Sequence, residues 1–208
     1  MHIVRGDLTS RHGAWILAAN HISHFDPPLL SIATKRKIDW MAMIELFENR
    51  AVSAWLRAID SFPTDRSRAD RAAVRIALTR LKQQHVVGIF PEGGIRDGAR
   101  SVLEGAPLKP GIASIAEIAD APVLPCAIVG SDRFYDKKMW LPLRRVNIWI
   151  AFGEPIIAPR DLDKSASRAY IERELANAFR NLFAELCKKF QLSPDDLPQP
   201  PARRKGRA

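Results

Sequence analysis

Trp15-Ile16-Leu17-Ala18-Ala19-Asn20-His21-Ile22-Ser23-His24-Phe25-Asp26-Pro27-Pro28 is the stretch on which the fold of this 208-residue chain turns. Its five leading apolar residues read as a buried strand, and the proline pair, tolerated in a first turn, opens a helix to about Ala33. A strand that hands over to a helix is the unit of α/β folds, and the loop between them is their usual ligand address. This loop carries two histidines and an aspartate. A histidine at the strand end and an aspartate five residues on can fold back on each other. The aspartate then holds one ring N–H, and the other ring nitrogen faces the cleft as a general base. Spacing alone leaves two alternatives open. Asp26 can cap the helix while His21 is a satisfied loop residue, or His21, His24 and Asp26 can ligate a metal. His2, His12 and His85 stand in no ligand spacing, and His24 reads best as a solvent-facing loop residue.

Outward from this stretch, strands and helices alternate. Ile38 to Met43 is a second strand, and Glu45 to Ile59 a helix with many apolar residues. Asp65 to Gln84 carries Ala73, Ile76, Ala77 and Leu81 at spacings of three and four, which predicts an amphipathic helix. His85 to Phe90 is a strand broken by Pro91, and a glycine-rich loop runs from Gly93 to Gly105. Pro110 to Ala119 is a helix, Val123 to Val129 and Val146 to Phe152 are strands, and Ile171, Leu175, Ala178, Leu182, Leu186 and Phe190 form one stripe of a long last helix. From Ser193 the chain becomes Pro-rich and then basic at Arg203-Arg204-Lys205, which predicts a disordered tail over 193–208. The expected fold is α/β: a single domain over 1–192 whose mixed, largely parallel sheet is flanked by helices.

The apolar share of 47% and charged share of 26% are those of a globular domain, whereas the formal charge of +9 favours anionic partners. Nucleic acid is disfavoured, since the basic residues are scattered and no nucleic-acid motif or stacking pattern appears. An anionic membrane face and phosphate- or carboxylate-bearing substrates remain. Cys126 and Cys187, far apart in apolar runs, read as free thiols and suggest a reducing cytoplasm. No run reaches the apolar length of a membrane span, and Met1 to Asp7 has no signal-peptide core, so membrane contact is expected to be peripheral.

Three further segments matter. Gly88-Ile89-Phe90-Pro91-Glu92-Gly93-Gly94-Ile95-Arg96-Asp97-Gly98 ends a strand in a loop whose backbone can approach an anion, with Arg96 as a fork. Ser61-Phe62-Pro63-Thr64-Asp65-Arg66, followed by Arg68 and Arg71, sets arginines at a helix N-terminus, as a phosphate site or as a solvated face. Ala121-Pro122-Val123-Leu124-Pro125 is a strand start that alone says nothing of function.

In this order and spacing the segments resemble the glycerophospholipid acyltransferase family, whose best-known members are the lysophosphatidic acid acyltransferases. Asn20, His21 and Asp26 match its first motif; Phe62, Pro63, Asp65 and Arg66 its second; Phe90, Pro91, Glu92, Gly93 and Arg96 its third; Pro122 and Pro125 its fourth. Leu108-Lys109-Pro110-Gly111 is similar to its lysine-glycine element and Gly153-Glu154-Pro155-Ile156 to its closing strand. The resemblance covers residues 14 to 157. It implies that His21 deprotonates an acceptor hydroxyl and that Asp26 orients it. It further implies that Arg66 binds phosphate, that Glu92 and Gly93 shape the acceptor site with Gly93 as an oxyanion donor, and that Arg96 and Lys109 are further contacts. The donor would be acyl-CoA or acyl carrier protein, and the acceptor a lysophospholipid such as 1-acyl-glycerol-3-phosphate. Neither a metal nor another cofactor is implied, and the location would be peripheral on the cytoplasmic face of an anionic membrane.

Two departures shape the expectations. The family's Thr-Arg pair is here Gly94-Ile95-Arg96, one place longer, and Asp97 adds negative charge beside the phosphate site, which leaves room for another lysolipid as acceptor. Nineteen residues precede Asn20, where many relatives carry membrane-associating helices, so Ile44 to Ile59 and the basic tail become the candidates for membrane contact. A non-catalytic basic module on an anionic membrane is the alternative of another class.

Overall fold

The computed structural model describes residues 1–58, 60–65, 70–136 and 145–198. Its strands are β1 (His2–Val4), β2 (Trp15–Ala19), β3 (Ile38–Met43), β4 (Phe62–Thr64), β5 (Val86–Ile89), β6 (Val123–Val129) and β7 (Trp149–Phe152). Its helices are α1 (Asp26–Ala33), α2 (Arg50–Ala58), α3 (Arg71–Lys82), α4 (Ile112–Ala119) and α5 (Lys164–Phe190). The strands form one sheet in the order β1-β7-β6-β2-β5-β3-β4. β6, β2, β5, β3 and β4 run parallel, β7 runs against β6, and β1 runs parallel to β7. The sheet is therefore mixed and largely parallel, as its alternation with helices predicts.

β2 and β6 are buried along their whole length. Central parallel strands are covered on both faces, which is why they read as unbroken apolar runs. Side chains alternate across the sheet. Ile16 and Ala18 pack with Ile112, Ala113 and Ala116 of α4 and Leu175 and Phe179 of α5, while Trp15, Leu17 and Ala19 pack with Leu30 of α1. The C-terminal ends of β2, β5 and β6 share one edge of the sheet, and the loops that leave them build the site described below.

Several boundaries differ from the sequence expectation, each for a local reason. β1 is three residues long, too short for a period to show, and pairing with β7 makes it a strand (His2 opposite Trp149). β4 lies on the sheet edge, where Pro63 needs no ladder donor. The helix expected from Glu45 begins only at Arg50, because Ile44–Phe47 is a 3-10 turn and the Asn49 side chain accepts from Ala51 and Val52 N–H at 3.0 and 3.2 Å. Ile59 lies outside the described residues. α3 starts six residues later than expected, capped by Asp70, whose Oδ1 accepts from Ala72 and Ala73 and whose Oδ2 accepts from Asp65. The last strand starts at Trp149 rather than Val146. After α5 the chain stays on the body: Ser193 donates to Asp196, and Asp196 pairs with Arg133. The basic part of the expected tail, Arg203-Arg204-Lys205, lies outside the described residues.

Candidate active site

β2 ends at Ala19, opposite Cys126 of β6, yet the pairing continues for one more step through a side chain. The Asn20 amide donates to Ile128 O at 3.0 Å and accepts from Ile128 N–H at 2.7 Å. Asn20 thus stands in for a peptide unit and frees its own main chain to turn away into the 20–26 loop. His21 Nδ1 lies 2.8 Å from Asp26 Oδ2, which also accepts from the Ile22 and Ser23 N–H groups at 2.7 and 2.8 Å. Asp26 Oδ1 accepts from Ser131 Oγ. Asp26 is wholly buried and His21 nearly so. Asp26 accepts from each of its other neighbours, so it offers His21 Nδ1 an acceptor and leaves Nε2 as the nitrogen available to a substrate.

Both peptide groups of His21 are clasped by the loop that follows β5. Its N–H donates to Glu92 Oε2, and its carbonyl accepts from Arg96 N–H at 2.8 Å. Glu92 Oε1 in turn accepts from Ser101 Oγ at 2.7 Å and Val102 N–H at 2.9 Å. Burial pushes the Glu92 carboxyl up to about 7, working against the hydrogen bonds that favour its ionised form. The imidazole of His21 stacks on Phe90 with centroids 4.1 Å apart, and Phe90 stacks on Trp40 at 4.9 Å. Gly88 makes that column possible, since a Cβ there would come within 2.6 Å of Trp40 Cζ3.

The other expected site residues fare differently. Arg96 is brought to His21 through its backbone N–H, and Lys109 is brought to Gly93. Lys109 N–H donates to Pro91 O at 2.7 Å, and its side chain runs over Gly93, which has φ +66°. The Arg96 guanidinium bonds only the Ile95 carbonyl at 3.0 Å among the described residues, so its charge is uncommitted. Arg66 and Arg68 lie outside the described residues. Glu92 and Gly93 are present but differently employed than expected: both Glu92 oxygens are taken by protein donors, and the Gly93 N–H donates to Phe90 O at 3.0 Å. The next two backbone N–H groups, of Gly94 and Ile95, have no partner among the described residues. Asp97 is buried and paired with Arg100 at 2.5 Å, so the negative charge expected beside the site is compensated.

His24 is exposed, as its loop position predicts; its N–H donates to Tyr135 OH at 3.0 Å, and partial desolvation of the ring, then the nearby His21, hold it below the ordinary histidine value. No three His, Cys, Asp or Glu side chains converge to hold a metal among the described residues. Grooves of about 450 Å³ beside Ala116, Asp120 and Arg160, and of about 390 Å³ beside Arg5, Glu154 and Glu185, are lined by none of the site residues. Ser131, Ser101 and Trp40 are the members that sequence reasoning missed. Ser131 and Trp40 lie far from the motifs they serve, Ser101 follows Glu92 by nine residues, and a lone serine or tryptophan carries no spacing signal.

Residues 2–129, which hold the whole dyad loop and the Glu92 loop, match the family model described as Acyltransferase. The chain belongs to the acyltransferase family. A relative in Bacillus subtilis (strain 168), 1-acyl-sn-glycerol-3-phosphate acyltransferase, is 32% identical over 117 residues. That match spans 56% of this chain and 56% of the relative's own length. The crystal structure of the 1-acyl-sn-glycerophosphate (LPA) acyltransferase PlsC from Thermotoga maritima superposes with a TM-score of 0.63 at 22% identity, over 88% of this chain and 72% of that one. Its fold is the fold found here. This acyltransferase-family chain has no helix among its described residues long and apolar enough to cross a membrane.

Proposed function

We propose that the chain transfers a fatty acyl group from acyl-CoA or acyl carrier protein to the free hydroxyl of a lysophospholipid, with 1-acyl-glycerol-3-phosphate as acceptor and phosphatidic acid as product. The observation that carries this is the buried His21–Asp26 pair at 2.8 Å, with Nε2 left free, in an acyltransferase-family fold. His21 Nε2 takes the acceptor's hydroxyl proton as the oxygen attacks the thioester carbon. The tetrahedral intermediate expels the thiolate, which takes the proton back from the imidazolium, so that ester and thiol are the products. Asp26 stabilises the transient imidazolium, and no covalent acyl-enzyme or metal enters. The N–H groups of Gly94 and Ile95, without a partner among the described residues, are the donors best supported for the oxyanion, in place of Gly93.

Arg96 and Lys109 supply cationic contacts for the acceptor phosphate, joined by Arg66. The compensation of Asp97 by Arg100 removes the main objection to a phosphate there. Glu92, its oxygens engaged, supports the site through His21. Ile44, Leu46 and Val52 are exposed on the segment that leaves β3, which supports a peripheral seat on an anionic membrane. Cys126 and Cys187, held as free thiols, suit its cytoplasmic face. The test is release of thiol from a long-chain acyl thioester in the presence of lysophosphatidic acid, with lipid product analysis. His21→Ala should lose about 100- to 10,000-fold in turnover while keeping its fold. Wild-type turnover in that variant would overturn the mechanism, and equal use of a phosphate-free lysolipid would overturn the acceptor.

A further inference from the structure

Asp26 has two carboxylate oxygens, and the 20–26 loop occupies only one of them, Oδ2, with three donors. Oδ1 points toward the chain leaving β6, where Ser131 Oγ donates to it. Both side chains are wholly buried, so no solvent stands ready to replace that hydrogen bond. We propose that Ser131 is a positioning residue of the reaction, the first link of a Ser131–Asp26–His21 series. It would fix the rotation of the Asp26 carboxylate, keep Oδ2 on His21 Nδ1, and help hold the carboxylate charge while the imidazolium forms. The proposal rests on the His21–Asp26 mechanism above and adds a group that this mechanism does not require.

The fold spends several features on presenting Ser131. Gly130 turns the chain at φ +93°, where a Cβ would collide with the Asn147 carbonyl oxygen, so glycine is needed there. Ser131–Tyr135 then forms a 3-10 turn that is held from two sides. On one side the Tyr135 hydroxyl accepts from His24 N–H of the dyad loop at 3.0 Å. On the other, Arg133 reaches Asp196 beyond α5 at 2.5 Å and lies 5.4 Å over the Trp149 ring. A carboxylate torsion is broad, so with Oδ2 held by the loop a donor on Oδ1 narrows the range the group can sweep. A hydrogen bond to an ionised group in a buried site is also among the stronger ones.

The test is steady-state acyl transfer by the full chain, with a fixed thioester and lysophosphatidic acid. Ser131→Ala should lower kcat about 10- to 100-fold, about 1.4 to 2.7 kcal/mol, with KM unchanged. Ser131→Cys, matched in size but a weak donor, should fall in the same range and serves if the alanine variant fails to fold. In an Asp26→Ala background Ser131→Ala should change kcat by less than about two-fold, because the residue acts through Asp26. Wild-type kcat in a folded Ser131 variant, a loss carried by KM alone, or an undiminished loss in the Asp26→Ala background would each overturn the proposal. Full activity in His21→Ala would instead bring down the mechanism on which it rests.

Discussion

Glu92→Gln swaps one carboxylate oxygen for an NH2 group of nearly the same size, at a place where every neighbour donates. Oε2 accepts from the His21 N–H, and Oε1 from Ser101 Oγ and the Val102 N–H. In one orientation the new NH2 opposes the His21 N–H, and in the other the Val102 N–H. The first orphans the His21 N–H itself, and the second loosens the turn at 101–102 that holds the side chain against His21. An orphaned buried donor costs about 1–3 kcal/mol, and if that cost falls on His21 geometry, kcat drops about 10- to 100-fold. KM should not change, because the carboxylate is buried and both of its oxygens already accept from protein donors. Stability supplies a second readout, with a definite sign. Burial raises this carboxyl from 4.5 to about 7, so the folded protein holds the proton more tightly than the unfolded chain. The stabilisation this gives is complete below pH 4.5 and is lost as pH rises through 7, amounting to about 3 kcal/mol at 1.36 kcal/mol per unit. The amide of the variant cannot titrate. Urea unfolding of both proteins from pH 4.5 to 8 should therefore show the variant gaining on wild type by about 3 kcal/mol as pH rises. Parallel stability curves would refute the burial argument, and a raised KM with unchanged kcat would show that Glu92 contacts the acceptor after all.

Gly88→Ala should destabilise by about 1–3 kcal/mol in thermal melts and lower kcat, because its Cβ would press on Trp40 and tilt the column that carries Phe90 and His21. Unchanged tryptophan fluorescence and activity would show the column to be incidental. Asn20→Leu, which leaves Ile128 N–H and C=O unpaired in a dry site, should cost about 2–5 kcal/mol in urea unfolding; a loss below about 1 kcal/mol would mean that the amide is not replacing a peptide unit. Replacing Ile44 and Leu46 together by Glu should weaken cosedimentation with anionic vesicles at least about ten-fold while turnover of a dispersed acceptor stays within about two-fold. Equal sedimentation of the two proteins would remove this ridge as the membrane contact.

What the sequence made legible here was whatever is local. β2 and β6 announce themselves because burial on both faces forces an unbroken apolar run, and the stripe along α5 because one face packs on the sheet. His21 and Asp26 are five residues apart, so their meeting requires only a short loop, and spacing plus residue type suggested it. Their chemistry, however, could not be separated from an ordinary helix cap by spacing, since Asp26 accepts the Ile22 and Ser23 N–H groups as well as His21. The elements that were missed are those that exist only through a distant partner. Three-residue β1 is a strand because β7 lies beside it, and Asp70 beats the amphipathic pattern as the start of α3 because its side chain takes two orphan donors. The same holds for Glu92. Phe-Pro-Glu-Gly marks it as a site residue, but that its carboxylate faces inward to His21, Ser101 and Val102 is a fact of tertiary structure. A family motif therefore says that a residue matters to the site without saying which way it points. Glu92 gives both oxygens to protein donors, one of them the His21 N–H, and the expected consequence of changing it is a change in kcat rather than in KM.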